Sequence, residues 1–215
     1  MIFKNFLKVK NNKKVKKDFQ DLLKNQPLCF DSLKPSYKYS YSKKIINKYK
    51  KFSNIRIIGM GGSILGTKAI YGFLKKEIKN KITFVDNLNS NANYFKDKNI
   101  NLNLIISKSG NTLETIANAH TLIKNRDSNL IITENKDSYL TNLASKLKAE
   151  IFEHKNYIGG RYSVLSEVGM LPAELMNLNE NKFKQLNNLV KKKPFVNNLI
   201  NSVSATLNLI KQGKY

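Results

Sequence analysis

Three hydroxyl side chains lie within six consecutive residues, together with one lysine and one glycine. The stretch reads Ser107-Lys108-Ser109-Gly110-Asn111-Thr112. It follows a short apolar run and precedes apolar residues at helical spacing, which predicts a strand, a tight loop and a helix. Such a helix begins with unpaired backbone N–H groups at the positive end of its dipole. Because hydroxyls, a lysine and a glycine all favour close contact with an oxyanion, the stretch predicts a phosphate-binding loop.

A simpler interpretation is that Asn111 or Thr112 only caps this helix. Glu114 would then lie in the first turn, where the helix dipole favours a carboxylate. Both interpretations stay open on the local sequence alone.

A second loop, Gly59-Met60-Gly61-Gly62-Ser63, follows another apolar run. It resembles the opening of a dinucleotide-binding fingerprint, and Asp86 ends the next predicted strand, where a ribose-binding acid would lie. The third glycine of that fingerprint is two positions late, however, at Gly66. The stretch also departs from the P-loop pattern, since it reads Gly-Thr-Lys where Gly-Lys-Ser or Gly-Lys-Thr is required. Both nucleotide-binding patterns are therefore disfavoured.

A third segment places two glycines and an arginine before a helix predicted at Val164–Met176. Gly159 and Gly160 allow a tight turn from which Arg161 can project into a cleft, and Ser163 is expected to cap the helix. A surface arginine is the ordinary alternative. Arginine is rare here, because only three of the 38 basic residues are arginines, namely Arg56, Arg126 and Arg161.

The elements that must position these residues alternate between strand and helix. Apolar runs predict five strands, at Ile55–Ile58, Ile82–Val85, Leu104–Ile106, Leu130–Thr133 and Glu150–Phe152. Helices are predicted at Leu65–Leu74 and Tyr139–Leu147, with a short one at Tyr94–Lys98. This alternation predicts an α/β fold, a three-layer αβα sandwich around a five-stranded parallel sheet.

Open parallel sheets bind ligands at the carboxyl ends of their strands, where the strand order reverses. For the order 2-1-3-4-5, the reversal lies between strands one and three. The glycine-rich loop follows strand one and the hydroxyl loop follows strand three. The two loops are therefore predicted to flank one crevice.

Composition and charge limit which classes of protein the chain can belong to. The chain has a net charge of +23 at pH 7 and a single cysteine, Cys29, which cannot form an internal disulfide. No apolar run approaches the ~20 residues of a membrane-spanning helix, and Met1–Val9 lacks the apolar segment of a signal peptide. We therefore expect a cytoplasmic protein with no membrane partner. The charge suggests nucleic acid as a partner, with Lys8–Lys17 as the best site, but lysine in place of arginine disfavours it.

Residues 1–51 hold much of the excess charge and are predicted to form a helical N-terminal extension. One amphipathic helix contains Phe19, Leu22 and Leu23, and a second spans Ser42–Lys51. Pro27–Pro35 is expected to be a connection between them.

The three segments together resemble the phosphoglucose isomerase family, which has the sugar-isomerase (SIS) fold. Gly59–Gly66 is similar to the Gly-Gly-Ser loop of that family, and Ser107–Thr115 is similar to its Ser-Lys-Thr-x-x-Thr-x-Glu-Thr phosphate loop, with Ser109 in place of the usual threonine. Asn156–Gly169 resembles its Gly-Gly-Arg-Phe/Tyr-Ser signature. The resemblance covers roughly Ser42–Leu175 and implies an SIS-type sugar-phosphate-binding domain at residues 52–165.

The resemblance implies an aldose–ketose isomerase of glycolysis and gluconeogenesis that interconverts glucose 6-phosphate and fructose 6-phosphate through a cis-enediolate. It implies no cofactor or metal, and a homodimer when the protein is full length. Arg161 is the implied catalytic residue, which would steady the enediolate oxygens. The implied residues for binding the sugar phosphate are Gly62, Ser63, Ser107, Lys108, Ser109, Gly110, Asn111 and Thr112.

The chain also departs from the pattern of the family. Glu167 stands where the signature has a small residue, about one helical turn beyond Ser163. The base of the family, a glutamate in a Glu-Ser-x-Gly-Lys context, is expected beyond Tyr215, as are its ring-opening histidine and late lysine. His120 and His154 match no family position. His120 follows Ile116 by four residues on a helix and is predicted to be a packed or surface histidine, not a catalytic one.

Residues 166–215 are expected to contain the first helices of an incomplete second SIS domain. The apolar stripe of the last helix would either fold back on the first domain or await a sheet that this chain lacks, and the second arrangement is favoured. Gly213 is expected to end that helix and lead to a strand at Tyr215. The stripe consists of Val196, Leu199, Ile200, Val203, Leu207 and Ile210.

The sequence thus predicts a chain that binds a sugar phosphate but does not isomerise it alone, because the general base is missing. The alternatives are a non-catalytic sugar-phosphate-binding SIS module and a nucleic-acid-binding module.

Overall fold

A five-stranded parallel sheet in the order β2-β1-β3-β4-β5 forms the centre of the molecule. The structure is a computed structural model that describes residues 12–88 and 99–214. The strands are β1 Asn54–Gly59, β2 Lys81–Val85, β3 Leu102–Ile106, β4 Ser128–Thr133 and β5 Glu150–Glu153. The helices are α1 Lys13–Asn25, α2 Lys43–Tyr49, α3 Leu65–Leu74, α4 Leu113–Leu122, α5 Tyr139–Leu147, α6 Glu167–Leu175, α7 Glu180–Lys184 and α8 Lys193–Lys211. The predicted strand order is confirmed.

Successive strand residues pack against helices on opposite faces of the sheet. Ile57 and Leu104 lie on one face, in a core completed by α2 and α6. Ile58 and Ile105 lie on the other face, against α4 and α5. Because both faces are covered, the central strands β1, β3 and β4 contain continuous runs of isoleucine and leucine toward their C-terminal ends. The predicted three-layer αβα arrangement is confirmed.

Helix boundaries follow local capping. The predicted ranges of α3 and α5 are confirmed. Ser138 and Thr141 form a capping box at the start of α5, and Lys148 ends that helix in the left-handed conformation. Ser42 caps α2 by accepting a hydrogen bond from the backbone N–H of Ile45. The predicted connection between the two N-terminal helices contains a 3₁₀ turn, Leu28–Leu33.

The helix predicted at Val164–Met176 begins later than expected. A 3₁₀ turn occupies Gly160–Leu165, and α6 starts at Glu167 with Ser166 as its N-cap. Ser163 does not cap the helix, because its hydroxyl donates to the carbonyl of Gly160 at 2.8 Å and to the carbonyl of Gly62 at 3.3 Å. The prediction of Ser163 as the helix cap was therefore wrong.

The last helix, α8, lies against α1 and the 3₁₀ turn Gln185–Lys191. Its buried residues are Ile200, Ser204 and Ala205, whereas Val203, Leu207 and Ile210 remain 40–51% exposed. The assignment of residues 166–215 to a second domain stays a prediction. The predicted helix at Tyr94–Lys98, the predicted strand at Tyr215 and the first part of the Lys8–Lys17 stretch lie outside the described residues.

Candidate functional site

Strands β1 and β3 end side by side at one edge of the sheet. Gly59, the last residue of β1, pairs with Ile106, the last residue of β3. The loops that follow, residues 60–64 and 107–112, therefore begin next to each other, as the strand order predicts. A Cβ atom at Gly59 would lie 2.9 Å from the carbonyl oxygen of Ile106, so only glycine allows the two strand ends to pack this closely.

The hydroxyl loop groups its three hydroxyls beside the start of α4. Ser107 is buried, and its Oγ lies 2.8 Å from Thr112 Oγ1 and 3.5 Å from Ser109 Oγ. Thr112 occupies the N-cap position, but its side chain makes no cap hydrogen bond. The hydroxyls and the first N–H groups of α4 thus lie close together, an arrangement that suits the oxygens of a phosphate.

The side chain of Asn111 binds the start of α5 and not the start of α4, the helix that follows it in sequence. Its Oδ1 accepts a hydrogen bond of 2.8 Å from the backbone N–H of Tyr139, the first residue of α5. Neither Asn111 nor Thr112 therefore caps α4 through its side chain. This removes the simpler interpretation of the hydroxyl loop as a helix cap and nothing more.

Gly110 makes the tight turn of this loop possible. Its φ is +71°, in the left-handed region that glycine adopts without strain. A Cβ atom there would lie 2.2 Å from Ser138 Oγ and 2.5 Å from Ser138 Cβ. The backbone also binds α5, because the carbonyl of Gly110 accepts a hydrogen bond from the N–H of Leu140. The loop is therefore held against the start of α5.

Lys108 connects the hydroxyl loop to the segment that carries Arg161. Its ammonium donates to the carbonyl oxygen of Asn156 at 2.7 Å and lies 3.7 Å from Glu134 Oε1. A hydrogen bond from Lys136, together with the charge of Lys108, lowers the pKa of Glu134. In this arrangement the ammonium of Lys108 joins two loops instead of pointing freely toward a ligand.

The glycine-rich loop packs directly on the turn before Arg161. Gly61 has a φ of +51°. A Cβ atom at Gly62 would lie 2.5 Å from the carbonyl carbon and oxygen of Gly160, and Ser163 donates a hydrogen bond to the carbonyl of Gly62. The backbones of Gly62 and Gly160, which the sequence placed in two separate site segments, are therefore in direct contact.

Arg161 and Gly62 line the same open cleft, which has a volume of about 600 Å³. Arg161 is exposed at this cleft. None of residues 107–112 lines it; the hydroxyl loop follows β3, whose last residue pairs with Gly59. The full lining consists of Gly61, Gly62, Leu65, Gly66, Gly160, Arg161 and Val164. The structure thus brings the three predicted segments to one edge of the sheet.

The prediction does not include Leu65, Gly66 and Val164, which also line the cleft. Leu65 is 58% exposed at the start of α3, two residues after Ser63. A Cβ atom at Gly66 would lie 2.8 Å from the side chain of Val164. The first apolar residue after the loop is Ile64, which is fully buried, so the sequence offers no signal that separates Leu65 from it.

The two histidines lie near Tyr139 and Lys108, which contact or belong to the hydroxyl loop, and not at the cleft. His120 is exposed near the end of α4, where its ring contacts the ring and hydroxyl of Tyr139. His154 is buried, and burial lowers the pKa of its imidazole. Its Nδ1 lies 3.1 Å from the carbonyl oxygen of Lys155. Neither histidine lines the cleft.

Two buried glutamates of α6 bind the N-terminal region. Glu167 is fully buried and accepts hydrogen bonds from the hydroxyl of Tyr37 at 2.8 Å and from the backbone N–H of Ser40 at 2.9 Å. Glu174 accepts from the hydroxyl of Tyr41 and from the ammonium of Lys43. Burial, together with these carboxylates, raises the pKa of both Tyr37 and Tyr41.

Within residues 12–88 and 99–214, no cluster of three histidine, cysteine or acidic side chains is arranged to hold a metal ion. The same part of the chain contains no helix that combines the length and the apolar character needed to cross a bilayer.

Comparison with protein families gives a match over most of the chain. A family model described as phosphoglucose isomerase matches residues 6–198. The glucose-6-phosphate isomerase of Methanocaldococcus jannaschii is 40% identical over 141 residues, which are 59% of this chain and 34% of that protein. The enzyme of the same name from Borrelia garinii subsp. bavariensis is 37% identical over 138 residues, 56% of this chain and 26% of that protein. The chain thus spans about a third or less of the length of these relatives.

Solved structures share the fold at low sequence identity. A hypothetical protein from Thermus thermophilus aligns with a TM-score of 0.69 and 21% identity, over 88% of this chain and 52% of that one. The tagatose-6-phosphate ketose/aldose isomerase from Escherichia coli aligns with a TM-score of 0.53 and 16% identity, over 68% of this chain and 45% of that one.

Proposed function

The chain belongs to the phosphoglucose isomerase family, and from that membership we propose that its three converging segments form part of a glucose-6-phosphate isomerase site. The observation that carries the proposal is the meeting of Gly62 with Gly160 at the edge where Gly59 pairs with Ile106. In this proposal, the hydroxyl-rich loop, the glycine-rich loop and the arginine bind different parts of one small ligand. A sugar phosphate has the anionic and hydroxyl groups that such a set of donors would bind.

The phosphate would bind at the start of α4. In this proposal the hydroxyls of Ser107, Ser109 and Thr112 donate to the phosphate oxygens, with the loop amides around Gly110 and Asn111. The hydroxyl loop makes a suitable anion site because the helix dipole and the unpaired N–H groups add to the hydroxyls. Lys108 contributes mainly by holding the loop against Asn156, as its hydrogen bond indicates.

The sugar would lie along the cleft, in contact with Gly62 and Ser63. Arg161 would donate to the two oxygens that gain negative charge when the cis-enediolate forms. A fixed guanidinium suits this role because it stabilises charge that develops only in the transition state. Its planar group can also donate two hydrogen bonds at once, which a lysine cannot do.

The proton transfer between C2 and C1 requires a base, which the family supplies from a Glu-Ser-x-Gly-Lys stretch. The 215 residues contain no such stretch. We therefore expect the 215-residue chain to bind glucose 6-phosphate but to turn it over at least ~10²-fold more slowly than a complete enzyme. A coupled assay for fructose 6-phosphate tests this expectation, and turnover at the rate of a complete enzyme would contradict it. A homodimer of the complete protein remains part of the same proposal.

Ligand binding is expected to stabilise the fold selectively. At ten times its Kd, glucose 6-phosphate should add about 1.4 kcal/mol to the free energy of unfolding, which raises the Tm by roughly 3–6 °C for a chain of this size. Glucose at the same concentration should leave the Tm unchanged, because it lacks the phosphate.

Thr112→Val keeps the shape of this side chain and removes only the hydroxyl that lies 2.8 Å from Ser107 Oγ. It should weaken binding of both glucose 6-phosphate and inorganic phosphate, by about tenfold, if one charge-assisted hydrogen bond is lost. An equal rise in Tm with glucose and with glucose 6-phosphate would contradict the proposed phosphate site. Unchanged binding of inorganic phosphate by the Thr112→Val chain would contradict it as well.

A further inference from the structure

A segment of the N-terminal region crosses the outside of the loop that carries Arg161. We call residues 31–41 the strap and residues 153–167 the arginine loop. The hydroxyl of Tyr157, in the arginine loop, donates a hydrogen bond of 3.2 Å to Asp31 Oδ2, in the strap. Strap and arginine loop are more than 110 residues apart in sequence, so this contact is created by the tertiary fold.

One residue of the strap binds both ends of the arginine loop. The Oγ of Ser40 donates to the carbonyl oxygen of Glu153 at 3.2 Å, and its backbone N–H donates to Glu167 Oε1 at 2.9 Å. Because both ends are tied to Ser40, the arginine loop is closed at its base. Glu167 supplies one of these two ties through its side chain.

The Glu167 carboxylate is the most deeply buried of these partners. It is 0% exposed, and its second oxygen accepts a hydrogen bond from the hydroxyl of Tyr37. Glu167 also lies in the first turn of α6, where the helix dipole favours a carboxylate. Its removal would leave a buried hydroxyl and a partly buried backbone N–H without an acceptor, which is unfavourable.

The inner side of the arginine loop contacts the two ligand loops. Ser163 donates to the carbonyl of Gly62, and Lys108 donates to the carbonyl of Asn156. The arginine loop is therefore held between the strap on one side and the proposed binding loops on the other. Arg161 itself is exposed and projects from the 3₁₀ turn between these two sets of contacts.

We propose that Glu167 is a positioning residue for Arg161: by binding Tyr37 and Ser40, it fixes the base of the arginine loop and so the place of the guanidinium in the cleft. The inference rests on the proposed function, because it assigns Arg161 to the sugar end of the ligand. It has a specific consequence. Loss of Glu167 should affect the part of the ligand that Arg161 contacts and largely spare the phosphate, because Gly110 and Asn111 also anchor the hydroxyl loop to the start of α5.

The test compares Glu167→Ala with Glu174→Ala in the 215-residue chain. Glu174 is a matched control, because it is also a buried glutamate of α6 that binds the strap and neighbouring residues through two acceptor contacts, but it lies at the other end of the helix. Dissociation constants for glucose 6-phosphate and for inorganic phosphate would be measured by calorimetry. Glu167→Ala should weaken glucose 6-phosphate binding about tenfold and leave phosphate binding within about twofold. Glu174→Ala should leave both within about twofold.

A second arm measures the coupling to Arg161. Arg161→Lys should itself weaken glucose 6-phosphate binding, by about tenfold, since the planar donor group is lost. In the Arg161→Lys background, Glu167→Ala should add less than about twofold, because there is no guanidinium left to position. An equal loss in both backgrounds, or an equal loss in the Glu167 and Glu174 variants, would overturn the inference. Unchanged glucose 6-phosphate binding in Arg161→Lys would instead contradict the proposed role of Arg161, and with it the positioning role of Glu167.

Two milder variants keep the test valid if Glu167→Ala does not fold. Glu167→Gln retains an acceptor for the N–H of Ser40 and should bind glucose 6-phosphate within about threefold of the parent chain. Tyr37→Phe removes only the hydroxyl that donates to Glu167 and should weaken glucose 6-phosphate binding modestly, by about threefold, without affecting inorganic phosphate. Weakened phosphate binding in Tyr37→Phe would show a general loss of structure and overturn the inference.

Discussion

Replacing Gly62 by alanine is expected to weaken glucose 6-phosphate binding by about a hundredfold and to lower the free energy of unfolding by roughly 3 kcal/mol. The added Cβ atom would lie 2.5 Å from the carbonyl carbon and oxygen of Gly160. These are backbone atoms, so they cannot rotate away as the end of a side chain could. The glycine-rich loop and the turn before Arg161 must therefore separate, which opens the proposed site.

Gly72→Ala is the matched control for this change. Gly72 lies in α3, is exposed, and has no atom within 4 Å of its would-be Cβ. Alanine in an exposed helix interior is more stable than glycine by about 0.5–1 kcal/mol. Gly72→Ala should therefore stabilise the chain slightly and leave ligand binding unchanged. Urea unfolding and calorimetry on both variants measure the difference, and similar behaviour of the two would contradict the close packing of Gly62 on Gly160.

Gly110→Ala is expected to abolish binding of inorganic phosphate as well as of glucose 6-phosphate. Two costs add at this position. The φ of +71° is unfavourable for alanine by about 1–2 kcal/mol, and the new Cβ atom would lie 2.5 Å from Ser138 Cβ. The hydroxyl loop must then move away from α5, which displaces Ser107 and Ser109 relative to Thr112 and the start of α4.

Gly213→Ala separates the two costs. Gly213 has a φ of +68°, and nothing lies within 4 Å of its would-be Cβ, at the end of α8. This variant should lower the free energy of unfolding only by the backbone strain, because its Cβ atom meets no neighbour. It should bind phosphate as the parent chain does. We expect Gly110→Ala to lose roughly 3 kcal/mol of unfolding free energy in total. A Gly110→Ala chain that binds phosphate as tightly as the Gly213→Ala chain would contradict the proposed phosphate loop.

The elements and their order could be predicted because the relevant signals are local. Runs such as Leu104–Ile106 and Leu130–Thr133 are apolar without alternation, which is typical of strands covered on both faces. The loops after β1 and β3 differ in composition from the rest of the chain. Once the strand order is assumed, elementary topology places them together.

The start of α6 could not be predicted, because two serines compete for the cap position. Ser163 and Ser166 both precede the apolar helix, and either hydroxyl could accept a hydrogen bond from a helix N–H. In the folded chain the hydroxyl of Ser163 donates to the carbonyls of Gly160 and Gly62, and Ser166 is the residue that caps α6. One of these two acceptors lies 101 residues away in sequence, and no local pattern predicts such a contact.

The contacts of Lys108 and Glu167 could not be predicted either, because their partners are also distant in sequence. A lysine within a predicted anion loop suggests a ligand contact, yet its ammonium binds the carbonyl of Asn156. Glu167 departs from the small residue of the family signature, but nothing near it in sequence identifies Tyr37 and Ser40 as its partners. Backbone carbonyls and hydroxyls carry no distinctive pattern that would predict such pairs.

The central claim is that three separate segments bind one phosphorylated sugar at a single site. Backbone and arginine side-chain NMR signals of the 215-residue chain, followed during titration with glucose 6-phosphate, test this claim most directly. We predict that the amides of residues 107–112, the amides of Gly62 and Ser63, and the side-chain Nε–H of Arg161 all shift and saturate with one common Kd. Inorganic phosphate should shift only the amides of residues 107–112. Unchanged signals at Gly62 and Arg161 with glucose 6-phosphate, or saturation of the three segments with different Kd values, would contradict a single shared site.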